Sequence, residues 1–112
     1  MPRRKMSFDL VREIGVELPD IRDATTNRGV ALKLHGKLLA CKAINKSAEA
    51  NSLMVRMSLD ERERLIATAP DTFYLTDHYR STPCILVRLD RITQKALRQA
   101  LQSGWRFMME RT

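Results

Sequence analysis

Chemically active side chains are concentrated in the segment 77–80, which reads Asp-His-Tyr-Arg and lies between two strand-like runs. Asp77 and His78 are an acid and a base, but adjacent residues of a strand point to opposite faces and rarely share a proton. At a protruding hairpin tip, His78, Tyr79 and Arg80 could instead stack on a nucleic-acid base or enter a groove. In the other arrangement, Tyr79 packs back on the sheet and Arg80 pairs with Asp77. The sequence leaves both arrangements open.

The two cysteines, Cys41 and Cys84, each lie inside an apolar strand-like run. Thiols in such runs are commonly buried and unreactive, so we expect free cysteines, and a disulfide only if the two strands are neighbours. The chain has two histidines and no Cys or His pair at metal-ligand spacing. It also has no glycine-rich loop that leads into a helix and could bind phosphate. We therefore expect no catalytic activity, no metal and no cofactor.

A row of polar, mostly basic side chains lies opposite the apolar stripe of the last predicted helix. Lys95, Arg98, Gln102 and Arg106 follow one another at steps of three, four and four residues, and Arg91 extends the row. Cations at this spacing can follow a phosphate backbone, with counterion release as the main gain in free energy. The alternative is the ordinary solvated face of an amphipathic helix.

The composition is that of a small basic domain. With 112 residues the chain is long enough for one core, and its net charge of +7 favours a polyanionic partner. The excess of positive charge lies at the two ends of the chain. Residues 1–5 carry +3, and residues 81–112 contain six basic and two acidic residues. No apolar run approaches the roughly 20 residues of a membrane span, and no apolar segment follows the basic start. We expect a cytoplasmic protein with a disordered basic tail over residues 1–6 and one domain over 7–112.

Hydrophobic periodicity predicts three helices and five strands, in the order α-β-β-β-α-β-β-α. The predicted elements are helix 7–18, strands 30–35, 38–44 and 52–56, helix 58–69, strands 72–76 and 84–89, and a last helix after residue 93, with polar turns at 21–27 and 77–83. Short connections make hairpins of neighbouring strands. We therefore predict a two-layer α+β domain whose antiparallel sheet is covered by helices on one face.

Residues 7–112 resemble the MmcQ/YjbR family of small bacterial proteins. The resemblance rests on the opening amphipathic helix, on the Lys-Leu-His-Gly-Lys-Leu-Leu-Ala hairpin at 33–40, and on the block at 74–89. That block begins Tyr-Leu-Thr-Asp-His-Tyr and ends Val-Arg-Leu. The resemblance implies a two-layer domain that is often likened to a double-wing DNA-binding fold, and it implies DNA binding as the function.

The resemblance and the charge pattern together predict a non-catalytic DNA-binding domain that contacts phosphates through the last third of the chain. Some members of the family have His-Trp-Asn where this chain has His-Tyr-Arg. The resemblance implies the first four of the candidate contact residues, which are His78, Tyr79, Arg80, Arg88, Arg91, Lys95, Arg98 and Arg106. The alternative is a protein-interaction or ligand-sensing adaptor that holds its partner on the open sheet face. Exposed side chains at Leu39 or Leu86 would favour this alternative.

Overall fold

The helices and strands expected from the sequence are all formed, with shifts of a few residues at their ends. The computed structural model describes residues 6–111. Within them the elements are α1 (Phe8–Gly15), β1 (Ile21–Asp23), β2 (Ala31–Leu34), β3 (Lys37–Lys42), β4 (Ser52–Arg56), α2 (Leu59–Thr68), β5 (Phe73–Tyr74), α3 (Asp77–Arg80), β6 (Cys84–Arg88) and α4 (Gln94–Glu110). Of the expected basic tail, residues 1–5 lie outside the described residues, and Met6 is half-buried against the main core.

Two short elements occur where the sequence indicated polar turns. β1 pairs antiparallel with β2 at the edge of the sheet, and α3 is a single helical turn between β5 and β6. Three residues of strand or one turn of helix contain no repeat, so hydrophobic periodicity could not reveal them. β1 instead forms because β2 offers backbone partners that would otherwise be unpaired.

A six-stranded sheet forms one layer, in the order β1-β2-β3-β4-β6-β5. Every neighbouring pair is antiparallel, so the predicted α+β class is confirmed. The β4–β6 pair is continuous over five residues, from Ser52 opposite Arg88 to Arg56 opposite Cys84. The register between β2 and β3 shifts at a bulge between Leu32 and Lys33.

The main core lies between the sheet and the three longer helices. α1 and α4 pack across β2, β3 and β4, and α2 adds the half-buried Leu65 and Ile66 near β5 and β6. The largest fully buried side chains of this core are Leu10, Leu32, Leu34, Leu39, Leu53, Met57, Ile85, Leu97 and Leu101. Residues of β6 alternate as the pleat requires, with Ile85 and Val87 in this core and Leu86 on the opposite face.

Hydroxyl side chains fix where the three longer helices begin. Ser7, Ser58 and Thr93 each accept a hydrogen bond from the backbone N–H three residues on, at 3.2, 3.2 and 3.1 Å. Each bond satisfies one of the amide groups that a helix leaves unpaired in its first turn. The ends of β4 and β6, which precede two of these caps, are thereby held close to the start of α2 and α4.

The opposite face of the sheet is covered only in part. Met54, Cys84 and Leu86 form a smaller buried cluster there, against which Tyr79 of α3 and the half-buried Ala48 pack. On β1, β2 and β3 the side chains that point to this face are exposed or half-buried. The prediction of helices on one face is therefore correct for the three longer helices, whereas α3 lies on the other face.

Gly104 allows α4 to approach β4 closely, and we predict that Gly104→Ala destabilises the fold. A β-carbon at this position would lie 2.3 Å from the backbone carbonyl oxygen of Arg56, which cannot move aside as a side chain can. Overpacking of this kind costs about 1–3 kcal/mol, which exceeds the roughly 1 kcal/mol that alanine gains over glycine within a helix. Urea unfolding should show a net loss of stability.

Gly15→Ala is the matched control for this prediction. Its β-carbon would meet the Cδ1 atom of Leu32 at 2.3 Å, but that atom is the end of a flexible side chain. We expect a smaller loss of stability than in Gly104→Ala. Equal stability of the two variants would show that the contact between α4 and β4 is not tightly packed at Gly104.

Candidate nucleic-acid interface

The segment 77–80 does not protrude from the fold. As α3, it places Tyr79 against the smaller buried cluster, and the Tyr79 hydroxyl accepts a hydrogen bond from the backbone N–H of Asn45 at 3.3 Å. Arg80 Nε lies 3.4 Å from a carboxylate oxygen of Asp77. The second of the two arrangements that the sequence left open is therefore the one in the structure. His78 is exposed, and its ring lies nearly perpendicular to the Tyr79 ring, with 4.9 Å between the centroids.

Polar contacts hold the loop between β3 and β4 over this part of the sheet. The Tyr74 hydroxyl accepts a hydrogen bond from the backbone N–H of Glu49 at 2.8 Å and lies 2.5 Å from the Ser52 hydroxyl. Ser47 and Thr76 share a hydrogen bond of 2.8 Å between their hydroxyl groups. These bonds join the loop to β5 and to the start of α3, so this part of the face is closed.

Arg88 is fully engaged within the protein. Its guanidinium donates to both carboxylate oxygens of Glu49, at 2.9 and 2.7 Å, and to the carbonyl oxygens of Pro70 and Asp71 at 3.0 and 3.2 Å. It also lies over the Tyr74 ring, 4.2 Å from the centroid. The hydrogen bonds from Arg88 lower the pKa of Glu49. A phosphate contact by Arg88 would require breaking this set of bonds.

The basic row on α4 divides into paired and unpaired members. Arg98 donates to a carboxylate oxygen of Glu17 at 2.7 Å, which ties α4 to the end of α1. Arg91, Lys95 and Arg106 are exposed, and their side chains have no hydrogen bond or ion pair with any residue from 6 to 111. The row thus retains three cations that are available to a partner.

A second set of cations lies on the open part of the sheet. Arg22 pairs across β1–β2 with Lys33, and Lys33 pairs across β2–β3 with Leu38, so the three side chains share one face. Cys41 and, on β4, Arg56 continue this face. We call these five residues the basic sheet face. The charged side chains that β1 to β4 direct to it are all cations, and none of them has an ion pair among the described residues.

The carboxylate of β1 is directed away from the basic sheet face. Asp23 points toward the helices, where it accepts hydrogen bonds from Arg12 Nε at 2.8 Å and from the Thr25 backbone N–H at 2.9 Å. Hydrogen bonds from Thr25, followed by the bond from Arg12, lower the pKa of Asp23 from 3.8 to about 2. The alternation of side chains in β1 therefore places Asp23 on the face opposite to Arg22.

Arg56 is the unusual member of the basic sheet face. Five described arginines are buried or half-buried: Arg12, Arg56, Arg62, Arg88 and Arg98. All of these except Arg56 donate to a carboxylate or a backbone carbonyl. The Nε atom of Arg56 is closed to solvent and has no hydrogen-bond partner among residues 6–111. A buried donor without an acceptor costs about 1–3 kcal/mol.

The residues of the basic sheet face were not among the sequence-based candidates. Lys33 and Arg56 lie in predicted strands and Arg22 in a predicted turn. A signal existed in the strands, since cations alternate there with apolar residues. It could not show which strands are neighbours or which part of the face a loop covers, and both depend on the tertiary fold.

The two thiols are free, with Cys84 buried and Cys41 half-buried. Cys41 lies on β3 and Cys84 on β6, and β4 separates these strands, so the cysteines are about 10 Å apart across the sheet, beyond the roughly 7 Å limit for a disulfide. Burial raises the pKa of each thiol. Within residues 6–111 there is no group of three or more His, Cys, Asp and Glu side chains that could hold a metal ion. No helix of that same range is long and apolar enough to cross a membrane.

The two leucines that would have favoured the adaptor are both inside the protein. Leu39 and Leu86 have no exposed surface, the former in the main core and the latter in the smaller cluster. Among the described residues the exposed large apolar side chains are Val16, Ile44 and Leu59. Val16 directly follows α1, Ile44 lies on the loop after β3 and Leu59 begins α2, so they belong to different parts of the fold.

Comparison with known proteins adds no family assignment. No protein-family model matches the chain, and no curated protein is significantly similar to it. The resemblance to the MmcQ/YjbR family therefore stays a prediction, and arguments about function rest on the geometry above.

We predict that Tyr79→Phe lowers the stability of the fold, whereas His78→Ala does not. Removal of the Tyr79 hydroxyl leaves the backbone N–H of Asn45 without its acceptor, at a cost of about 0.5–1.5 kcal/mol. His78 is exposed, so its loss should change the free energy of unfolding by less than about 0.5 kcal/mol. Urea unfolding of both variants measures this. Equal stabilities would mean that Tyr79 does not anchor the loop.

The low pKa of Asp23 predicts a specific pH dependence of stability. Because the folded-state pKa lies below that of the unfolded chain, the ionised carboxylate stabilises the fold above about pH 4, and this contribution disappears as the pH falls toward 2. Asp23→Asn should therefore be less stable than the wild type at pH 7, with the difference shrinking between pH 4 and 2. Unfolding curves across this range test it. A difference that is constant with pH would contradict it.

Proposed function

We propose that this domain is a non-catalytic DNA-binding module whose principal phosphate contacts come from the basic sheet face. The observation that supports the proposal most directly is the segregation of charge on that face. Arg22, Lys33 and Arg56 are free of carboxylate partners within residues 6–111, whereas Arg80, Arg88 and Arg98 of the original candidates are ion-paired. Unpaired cations gain most from a polyanion, because they give up no existing bond.

The dimensions of the basic sheet face suit a nucleic-acid backbone. Neighbouring strands are about 4.8 Å apart, so β1 and β4 are separated by roughly 14 Å. Over that length a duplex carries about eight phosphate charges. Three cations spread over β1 to β4 can therefore contact two or three phosphates, with Leu38 and Cys41 between them against the sugar-phosphate surface.

The unpaired cations on α4 form a competing surface. Lys95 and Arg106 lie about 16 Å apart along the helix, and Arg91 precedes it. α4 packs on the face of the sheet opposite to Arg22 and Lys33, so a short straight duplex cannot contact both surfaces at once. One of the two surfaces must therefore make most of the contacts with a short duplex, so variants of each surface can distinguish them.

A protein partner with an acidic surface is the second candidate. The half-buried Leu38 and Cys41, at the centre of the basic sheet face, would suit such a partner. The buried positions of Leu39 and Leu86 count against a large apolar docking surface. We therefore rank the adaptor below the DNA-binding module.

Two double variants of equal charge distinguish the surfaces. Arg22→Gln with Lys33→Gln removes two cations from the basic sheet face, and Lys95→Gln with Arg106→Gln removes two from α4. We expect the first to weaken binding of labelled duplex DNA at all sequences and to reduce the log–log salt slope by about 2, with the second nearly unchanged. Fluorescence anisotropy from low to physiological salt measures both quantities.

Three other results would contradict the proposal. If the wild-type protein binds neither duplex nor single-stranded DNA, the DNA-binding module is wrong and the adaptor becomes the leading candidate. If both double variants lose affinity equally, the attraction is diffuse and follows net charge alone. If binding disappears on deletion of residues 1–5, the tail and not the folded domain supplies the contacts.

A further inference from the structure

A cleft lies at the end of the sheet where β3 begins, β4 ends and α4 ends. Its volume is about 370 Å³, and its lining consists of Lys37, Leu38, Arg56, Phe107, Met108 and Arg111. Three of these six residues are cations, three are apolar, and none is acidic. We propose that this cleft is a binding site for a phosphomonoester, with Arg56 as the central contact.

Arg56 provides the main argument for a ligand. Its guanidinium is half-buried, it makes no hydrogen bond or ion pair with residues 6–111, and its Nε atom is closed to solvent. The other buried or half-buried arginines of the described residues all have acceptors within the protein. A guanidinium presents a planar fork of donors that fits phosphate oxygens, so an oxyanion in the cleft would supply the missing acceptors.

The other cations and the packing of α4 reinforce this site. Lys37 and Arg111 have no carboxylate partner among the described residues. The Arg111 guanidinium lies over the Phe107 ring, 5.0 Å from its centroid, which places this cation beside the cleft. Gly104 seats α4 directly on the backbone of Arg56, so the end of the helix is fixed relative to the central contact.

The charge of the cleft favours a dianion. A phosphomonoester carries between one and a half and two negative charges at neutral pH, because its second pKa is about 6. Three cations in a lining that contains no acid match that charge better than the single charge of a carboxylate or a phosphodiester.

The apolar walls add a preference for the rest of the ligand. Leu38, Phe107 and Met108 offer an aliphatic and aromatic surface next to the cations. The volume lies in the range of sites for small organic ligands, about 300–1,000 Å³. A phosphate attached to a ring system of mononucleotide size fits this combination. The same chemistry has two sources, a free mononucleotide and the 5′-phosphate at the end of a nucleic-acid strand.

The test is a titration of the full-length protein, labelled with ¹⁵N, with adenosine monophosphate, adenosine and inorganic phosphate. We expect adenosine monophosphate to shift the amide signals of Leu38 and Phe107 at lower concentration than phosphate, with no effect of adenosine. Arg56→Met should weaken its binding by at least about tenfold, since a charged hydrogen-bond donor is lost. Arg28→Met, which removes the same charge from an exposed position between β1 and β2, should leave the affinity unchanged.

A second variant covers the case in which Arg56→Met fails to fold. Lys37→Met with Arg111→Met removes two cations from exposed positions, and it should weaken binding to a similar extent or more. Equal binding of adenosine and adenosine monophosphate, equal losses in Arg56→Met and Arg28→Met, or no binding of adenosine monophosphate would each overturn the proposal.

Oligonucleotides separate the two sources of the phosphate. A single-stranded oligonucleotide with a 5′-phosphate that binds more tightly than its 5′-hydroxyl form, and is displaced by adenosine monophosphate, identifies strand ends. Equal binding of the two forms, with adenosine monophosphate still bound at Arg56, identifies the free mononucleotide. The inference does not rest on duplex binding: the cleft stands if the duplex fails to bind, and the basic sheet face stands if the mononucleotide fails.

Discussion

Burial of β4 and β6 on both faces is the constraint on which the rest of the structure depends. Leu53 and Val55 of β4, with Ile85 and Val87 of β6, face the main core, and the residues between them face the smaller cluster. A strand pair buried on both sides needs cover on both sides. The longer helices provide it on one face, and α3 with the loop between β3 and β4 provides it on the other. The cover ends before β3, so β1 to β3 remain open on that face.

Polar contacts, more than apolar packing, hold α3 and the loop between β3 and β4 over the smaller cluster. Arg62 is buried and donates to the carbonyl oxygens of Arg80, Thr82 and Cys84 at 3.5, 3.2 and 3.2 Å, which fixes the segment between α3 and β6. Arg88 and the hydroxyls of two tyrosines hold the loop from the other side. These polar side chains thus form hydrogen bonds with backbone groups that would otherwise be unpaired.

The covered and open parts of the sheet differ in whether their cations are paired. Cations near the covered part of the sheet, and Arg98 at the contact between α4 and α1, are neutralised within the protein. Those on the open strands and on the outer side of α4 are not, because the neighbouring carboxylates, such as Asp23, lie on the other side of the sheet. The resulting surfaces carry cations that make no ion pair within the described residues. The cleft at Arg56 differs from the open face in having apolar walls.

The sequence by itself determined the α+β class, the longer helices and the strands with a repeat, since these depend on periodicity within a few residues. It also identified Lys95 and Arg106 as cations on the polar side of the last helix, with Arg91 just before it. The short elements β1 and α3, the inward position of Tyr79 and the pairing of Arg88 and Arg98 were decided by the tertiary structure, because each depends on a partner distant in the chain. The basic sheet face and the Arg56 cleft were decided in the same way: which strands are neighbours, and which part of a face stays uncovered, follow only from how the elements pack together.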